Sequence, residues 1–187
     1  MRTTFLKEVA SRITLAAWAT LLAACVDQPP LAPVSGEWTT PQLTWLPQAA
    51  EAATTVATLR RVTARYHNLD AALADGFVFL HPCEERPGEG PVGTVYVNFE
   101  RASDGVIDPE LPDALVYAPS RNGRPKLAAV ELVMPYDLWD EEEAPIFLGE
   151  SFEEEDEFGV FGLHVWVWLN NPNGLLAESN PRVSCEA

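Results

Sequence analysis

The segment from Leu163 to Trp168 holds the side chains best suited to chemistry. It reads Leu-His-Val-Trp-Val-Trp, and such alternation is typical of a β-strand, whose successive side chains point to opposite faces. His164, Trp166 and Trp168 would then share one face of that strand. Aromatic rings beside one imidazole suit the wall of a small-molecule pocket, although a histidine among aromatics is also a common structural residue. We take all three as candidate ligand-binding residues, with His164 first.

Glu131 interrupts an otherwise apolar run at 127–134. A carboxylate inside a sheet is costly unless it is paired or used. Alternation places it with Ala129 and Val133, opposite Val130 and Leu132. Glu131 is then either an outward-facing edge residue or, if it shares a face with His164, half of a histidine–carboxylate pair. Such a pair suits proton transfer or metal binding.

Tyr96 and Tyr117 complete the candidate ligand-binding set. Their position relative to Glu131 and His164 decides whether the four side chains form a site or belong to a scaffold. Glycine-rich phosphate cradles, a serine nucleophile elbow and the zincin pattern are absent from the sequence. The sequence therefore assigns no catalytic residue, no cofactor and no metal site.

One helix is predicted ahead of these candidates. Apolar residues recur at spacings of three and four between 56 and 73, which indicates one face of an α-helix, with a break near Asn68 and a stop at Gly76. The residues of that face are Val56, Leu59, Val62, Tyr66, Leu69 and Leu73.

Five β-rich runs follow the helix, separated by Pro, Gly, Asn and Asp. They span 77–80, 94–99, 114–117, 127–134 and 160–169. Strands without intervening helices argue against a parallel, doubly wound sheet. We expect an α+β fold, with one N-terminal amphipathic helix packed on an antiparallel sheet of about five strands.

The N-terminus predicts export. Arg2, Lys7 and Arg12 precede an apolar stretch at 13–22, which is too short to span a bilayer. Leu-Ala-Ala-Cys at 22–25 is similar to the lipobox of bacterial lipoproteins, and this resemblance implies cleavage before Cys25 and acylation of its thiol, palmitate included. Val26 replaces the aspartate of an inner-membrane retention signal. The expected address is the outer membrane, facing the periplasm, with the protein anchored through lipid at Cys25.

Three segments follow from that assignment. Residues 1–24 are the signal peptide, residues 25–48 form a proline-rich tether, and residues 49–187 form a single globular domain. Cys83 and Cys185 remain as a pair in an oxidising compartment, so we expect a disulfide between them. Two free thiols, or metal ligation together with His81 and His164, are the alternatives.

The charge limits the partners. Without residues 1–24 the chain has 9 basic and 27 acidic residues, a net charge of −18. Repulsion from phosphate excludes nucleic acid, whereas a cation, a small ligand or a basic envelope protein would be compatible. The acidic stretch at 140–157 has no Lys or Arg and is typical of a solvated loop, anchored here by Phe147, Phe152 and Phe158.

Four stretches carry a resemblance over most of residues 60–187. They read ARYHNLDAALADG at 64–76, DGVIDP at 104–109, FGLHVWVW at 161–168 and NPRVSC at 180–185. The combination resembles a family of exported bacterial proteins with no assigned activity. In relatives a histidine precedes the Tyr-Val-Asn found here at 96–98, whereas this chain has Val95. The resemblance thus implies an address and a fold, and it weakens the case for a two-histidine metal site.

Two functional hypotheses remain. The first is a non-catalytic envelope lipoprotein whose domain binds a small ligand or another envelope component through the face of His164, Trp166 and Trp168. The second is a metal-binding protein or a hydrolase-like enzyme that uses Glu131 and His164.

Overall fold

The computed structural model describes residues 45–86 and 90–186. These residues belong to one compact unit. The predicted signal peptide, Cys25 and the tether up to residue 44 lie outside the described residues. Within the described part of the chain, no helix is long and apolar enough to cross a membrane.

The helical region opens the domain and is interrupted, as predicted, at Asn68. Helix α1 spans Trp45–Thr63, a 3₁₀ turn covers Ala64–His67, and helix α2 spans Leu69–Ala74. Residues 45–48, the end of the predicted tether, already belong to α1, whose alanine-rich middle favours helix. The Asn68 side chain accepts a hydrogen bond from Asp70 N and so caps α2.

The break changes which residues face the core. Leu59 and Tyr66 are buried and Val56 and Leu69 pack beside them, as the apolar spacing predicts. Leu73 is 47% exposed, whereas Ala72 is fully buried. The prediction for Leu73 was wrong because the 3₁₀ turn and the new cap at Asn68 start α2 in a different rotational phase.

In the described residues after α2, ten strands and one further short helix follow. The helix α3 spans Phe99–Ala102, and a 3₁₀ turn covers Tyr136–Leu138. The strands are β1 (Val78–His81), β2 (Glu85–Arg86), β3 (Gly90–Pro91), β4 (Thr94–Val97), β5 (Ala114–Ala118), β6 (Lys126–Pro135), β7 (Ile146–Phe147), β8 (Glu150–Ser151), β9 (Glu153–Glu155) and β10 (Val160–Val165).

Six of the strands form the main sheet, in the order β1-β4-β5-β6-β10-β9. Every neighbouring pair is antiparallel. The predicted α+β class is confirmed, and each of the five predicted runs overlaps a strand of this sheet. The sixth strand, β9, lies at the edge and comes from the acidic stretch that the sequence suggested was a loop. Acidic side chains are tolerated there because an edge strand has solvent beside it, and charge on an edge discourages pairing with another chain.

The fifth predicted run ends earlier than expected, at Val165. Val167 N donates to Val165 O, a tight turn that ends the alternation of side chains. Ala128 forms a β-bulge in β6, because the neighbouring residues Val116 and Tyr117 of β5 pair with Ala129 and Leu127. The Ala128 carbonyl accepts hydrogen bonds from the backbone N–H groups of residues 168 and 169, so the bulge holds the chain after the turn.

The sheet has two differently covered faces. The helix face packs against α1, the 3₁₀ turn and α2, where side chains such as Tyr66 and Phe77 join a continuous core. The sheet residues of this core are Leu115, Tyr117, Leu127, Val130, Leu132, Leu163 and Val165. Burying each large apolar side chain there contributes about 1.5–3 kcal/mol relative to exposure.

The opposite face, which we name the disulfide face, is covered by the short helix α3, by loops and by the C-terminal segment. Its smaller core contains Val95, Val97, Ala114, Val116 and Trp166, with Val183 and Cys83 against it. Cys83 and Cys185 form a disulfide with a Cα–Cα distance of 5.3 Å, which confirms the predicted pairing. The bond ties the C-terminal segment to the chain just after β1.

The acidic segment is anchored by two of its three phenylalanines. Phe152 is buried in the core of the helix face and Phe147 packs against that core, whereas Phe158 is 40% exposed.

Candidate functional site

Glu131 and His164 lie directly opposite each other on β6 and β10. Cross-strand partners share a face of the sheet, so both side chains project from the disulfide face. Both residues are buried, with exposed fractions of 5% for Glu131 and 2% for His164. Alternation in the sequence correctly indicates a face for each residue within its own strand, and the register of β6 with β10 brings the two together.

The imidazole of His164 is held between two carboxylates. Its Nδ1 lies 2.9 Å from Glu178 Oε2, a hydrogen-bonded ion pair when the ring is protonated. Its Nε2 lies 3.9 Å from Glu131 Oε2, too far for a hydrogen bond. Among the described residues, Nε2 has no hydrogen-bond partner although it is buried. A buried donor without an acceptor costs free energy. In the described core, this cost falls on His164 Nε2, which faces Glu131.

Gly162 makes room for a second carboxylate beside Glu131. A Cβ atom at this glycine would lie 2.8 Å from Glu131 Oε1 and 2.9 Å from Glu155 Oε1. Any larger residue would therefore displace one of the two acids. The glycine lets Glu155, on the edge strand β9, approach Glu131 on β6 across the intervening strand β10.

Burial and charge set the protonation states. Burial raises the pKa of Glu131 to about 8, against the lowering influence of His164. Burial alone would lower the pKa of His164, but Glu178 and Glu131 raise it to about 9. The two carboxylates therefore favour the protonated form of His164, while burial disfavours the ionised form of Glu131.

Asp113 is a further buried acid close to Glu131. It immediately precedes β5, and its carboxylate accepts a hydrogen bond of 2.8 Å from Val133 N. Burial raises the pKa of Asp113 to about 7, although that hydrogen bond lowers it. Its charge also contributes to the raised pKa of Glu131.

Glu131 borders an open cavity of about 300 Å³, which we name the Glu131 cavity. Strands of the disulfide face form its floor, and α3 and the loop before β10 form its walls. The lining is mostly apolar, with three carboxylates: the apolar members include Leu80, Val97, Phe99, Ala102, Val133 and Phe158, and the acids are Glu131, Asp137 and Glu155. A cavity of this size with few polar groups suits a small ligand.

Tyr96 and Tyr117 do not join this site. Tyr117 is buried in the core of the helix face, where its hydroxyl donates to Tyr66 O over 2.7 Å. Tyr96 packs against the same core, with its ring 5.4 Å from that of Tyr117. Both tyrosines therefore lie on the other side of the sheet from Glu131 and His164, and their role is structural.

The two tryptophans separate. Trp166 stays on the disulfide face, its ring stacked on His164 at 6.0 Å and its Nε1 donating to Ala177 O. Trp168 packs on the helix face, where Nε1 donates to Thr63 Oγ1 over 3.0 Å. The predicted common face of His164, Trp166 and Trp168 was wrong for Trp168, because the strand ends at Val165. Trp166 is buried and supports His164 from the side.

Three acids of the site were not identified from the sequence. Glu178 lies in a segment without regular secondary structure, so no periodicity marks it. Glu155 lies in the acidic stretch and Asp137 lies just before it, so neither can be distinguished by sequence from the neighbouring acids. Gly162, which breaks the run of large side chains in β10, is the one local signal that something approaches the strand there.

In the part of the chain that the structure describes, no three His, Cys, Asp or Glu side chains form a group suited to hold a metal ion. Comparisons with protein-family profiles, with curated proteins and with solved structures found no match.

Proposed function

We propose that this protein is a lipid-anchored envelope lipoprotein whose domain binds a small ligand in the Glu131 cavity. The observation that carries the binding proposal is the open, mostly apolar space of about 300 Å³ with a buried carboxyl group in its wall. Apolar walls supply affinity, and a few fixed polar groups orient the ligand. Catalysis is not part of this proposal.

The anchor is proposed from the N-terminal sequence alone, since Cys25 lies outside the described residues. Its test is the variant Cys25→Ala in the bacterial host, followed by membrane fractionation. We expect the protein to leave the membrane fraction, because a covalently attached lipid is the proposed attachment. Val26→Ala is the matched control and should leave fractionation unchanged. Membrane association of the Cys25→Ala protein equal to that of the wild type would contradict the proposal.

Ligand binding is tested with three probes that share one carbon frame: cyclohexanol, cyclohexylammonium and cyclohexanecarboxylate. Methyl chemical shifts of the full-length protein report where a probe binds, through Val97, Val133 and Val160 in the wall. We expect at least one probe to shift these methyl groups saturably. No saturable shift with any of the three would contradict binding in the cavity.

A steric variant adds a control to this experiment. Ala102 lies on α3 and lines the cavity, so Ala102→Trp fills the space. Ala74 is exposed on α2, and no described residue of that helix lines the cavity. Probe binding should be lost in Ala102→Trp and kept in Ala74→Trp. Equal binding by both variants would place the probe elsewhere on the protein.

The unpartnered His164 Nε2 facing Glu131 supports a second candidate function, metal binding or proton transfer by this pair. Zinc is the test, because imidazole and carboxylate are common zinc ligands. Titration of the full-length protein with Zn²⁺ should show no tight binding if ligand binding in the cavity is the function. Micromolar binding that disappears in His164→Ala would favour the second function.

A further inference from the structure

The ionisable side chains that line the Glu131 cavity are all acids. Glu131, Asp137 and Glu155 line it, and no described lining residue is Lys, Arg or His. An anionic ligand would be repelled by these carboxylates, and a neutral ligand would gain nothing from their charge. The lining thus selects for a positive charge.

Glu131 differs from the surface acids because it lacks the solvation that they have. It is 5% exposed and lines the cavity, and its ion-pair contact with His164 Nε2, at 3.9 Å, is beyond hydrogen-bond distance. A buried polar group without a partner is costly. A cationic donor in the cavity would hydrogen-bond to the Glu131 carboxylate and stabilise its ionised form, which burial alone disfavours.

The rest of the lining fits an organic cation better than a bare metal ion. Calcium and magnesium require several oxygen ligands around one point, and no described group of side chains provides such a set. Most of the wall is aliphatic or aromatic instead. Phe99 and Phe158 line the cavity while remaining 59% and 40% exposed. Rings in that position can contact both an apolar body and an ammonium group.

We propose that the Glu131 cavity binds a small organic cation, an ammonium group on a compact apolar body, with the ammonium held by the Glu131 carboxylate and the body against Phe99 and Phe158. This inference rests on the proposed binding function and specifies its ligand class. His164 and Glu178 do not line the cavity, so they are not part of the proposed ligand contact.

The test compares the affinities of the three cyclohexyl probes by calorimetry on the full-length protein at pH 8. An alkylammonium keeps its charge at this pH, because the pKa of such a group is about 10.4. We expect cyclohexylammonium to bind at least about tenfold more tightly than cyclohexanol, the size of one charge-assisted hydrogen bond. Cyclohexanecarboxylate should bind more weakly than either.

The variants assign the preference to a residue. Glu131→Gln keeps the size of the side chain and removes its charge, so the preference for cyclohexylammonium over cyclohexanol should fall to about threefold or less. Glu155→Gln should reduce it partly, and, being half-exposed, Glu155 can be changed with little risk to folding. Glu154 precedes it on β9 but is exposed and does not line the cavity. Glu154→Gln is the matched control and should keep the full preference.

The outcomes separate the two proposals. If cyclohexanol binds the cavity as tightly as cyclohexylammonium, the cation inference is wrong and the binding function stands. If no probe binds, the binding function is wrong as well. If Glu154→Gln lowers the preference as much as Glu155→Gln, the cation is adsorbed to the acidic surface and the inference is also wrong.

Discussion

The two faces of the sheet differ in how completely they are packed and hydrogen-bonded. On the helix face large apolar side chains fill the space, and the polar atoms of Tyr66, Tyr117 and Trp168 have hydrogen-bond partners. On the disulfide face small side chains such as Ala114 and Ala129 leave room, and the buried His164 has an atom without a partner. The first face is organised for stability, and the second keeps unsatisfied groups next to an open cavity.

The difference shows why the site lies where it does. Helices α1 and α2 cover one face closely, whereas the short helix α3, loops and a C-terminal segment held by the Cys83–Cys185 disulfide cover the other. Loose cover leaves a cavity, and a strand register that places Glu131 against His164 puts charge beside it. Buried groups with strongly shifted pKa values next to a cavity are typical of functional sites.

Removing packing from the helix face should have the largest effect. Leu132 is fully buried there, and Leu132→Ala should lower the free energy of unfolding by about 2–5 kcal/mol, because it leaves a hole in a filled core. Urea denaturation measures this loss. Leu111→Ala, at an exposed leucine, is the control and should change stability by less than about 0.5 kcal/mol. Similar losses in both variants would contradict the assignment of stability to the helix face.

The disulfide should matter next most. The double variant Cys83→Ser with Cys185→Ser opens a loop of 102 residues and should lower the free energy of unfolding by about 2–4 kcal/mol. Urea denaturation with and without reductant checks this prediction. Reductant should destabilise the wild type and leave the double variant unchanged. If full reduction of the disulfide leaves the stability of the wild type unchanged, the bond does not stabilise the fold and the prediction is wrong.

The third prediction concerns pH, to which the disulfide face should be the more sensitive. The pKa values of Glu131, His164 and Asp113 are all raised in the folded protein, to about 8, 9 and 7. A raised folded-state pKa means that the fold favours the protonated form, so its contribution is complete below the unfolded-state value and is lost as pH rises through the folded-state value. Stability should therefore fall between pH 5 and pH 9, over the range set by these shifts.

The variant Glu131→Gln isolates one part of that pH dependence. Its amide does not titrate, so the loss of stability between pH 5 and pH 9 should be smaller by on the order of 1 kcal/mol. Glu154→Gln, at an exposed acid, should keep the slope of the wild type. A stability that rises with pH in the wild type, or an unchanged slope in Glu131→Gln, would contradict the raised folded-state pKa values.

Much of the fold could be predicted because local patterns and topology agree. Apolar spacing located the helix, β-rich runs located five strands of the sheet, and two cysteines left over from the lipobox predicted the disulfide. Alternation also indicated correctly that Glu131 opposes Val130 and Leu132 within β6. These features depend on neighbours in sequence, so a single chain contains the necessary information.

The site was only partly predictable, because it depends on register and on chain ends. No local sequence pattern specifies the register of β6 and β10 that places Glu131 opposite His164. The turn after Val165, which moves Trp168 to the other face, interrupts a pattern that is regular in sequence. Glu178 comes from a segment with no regular structure. Such features are set by tertiary packing, which overrides local preference.

The smallest expected effect on stability belongs to a residue of the disulfide face that lines the cavity. Phe99 is 59% exposed and lines the Glu131 cavity. Phe99→Ala should therefore change the free energy of unfolding by less than about 0.5 kcal/mol, while it weakens binding of cyclohexylammonium about threefold through loss of the ring that contacts its apolar body. Urea denaturation and calorimetry on the same variant measure the two effects.

Phe79→Ala is the matched control for that experiment. Phe79 is a similarly exposed phenylalanine on the edge strand β1, and it does not line the cavity. It should leave both stability and probe affinity close to the wild type. If Phe99→Ala lowers stability by more than about 1 kcal/mol, then Phe99 belongs to the packing of the domain. The contrast between a face built for stability and a face that keeps space for a ligand would then fail at that residue.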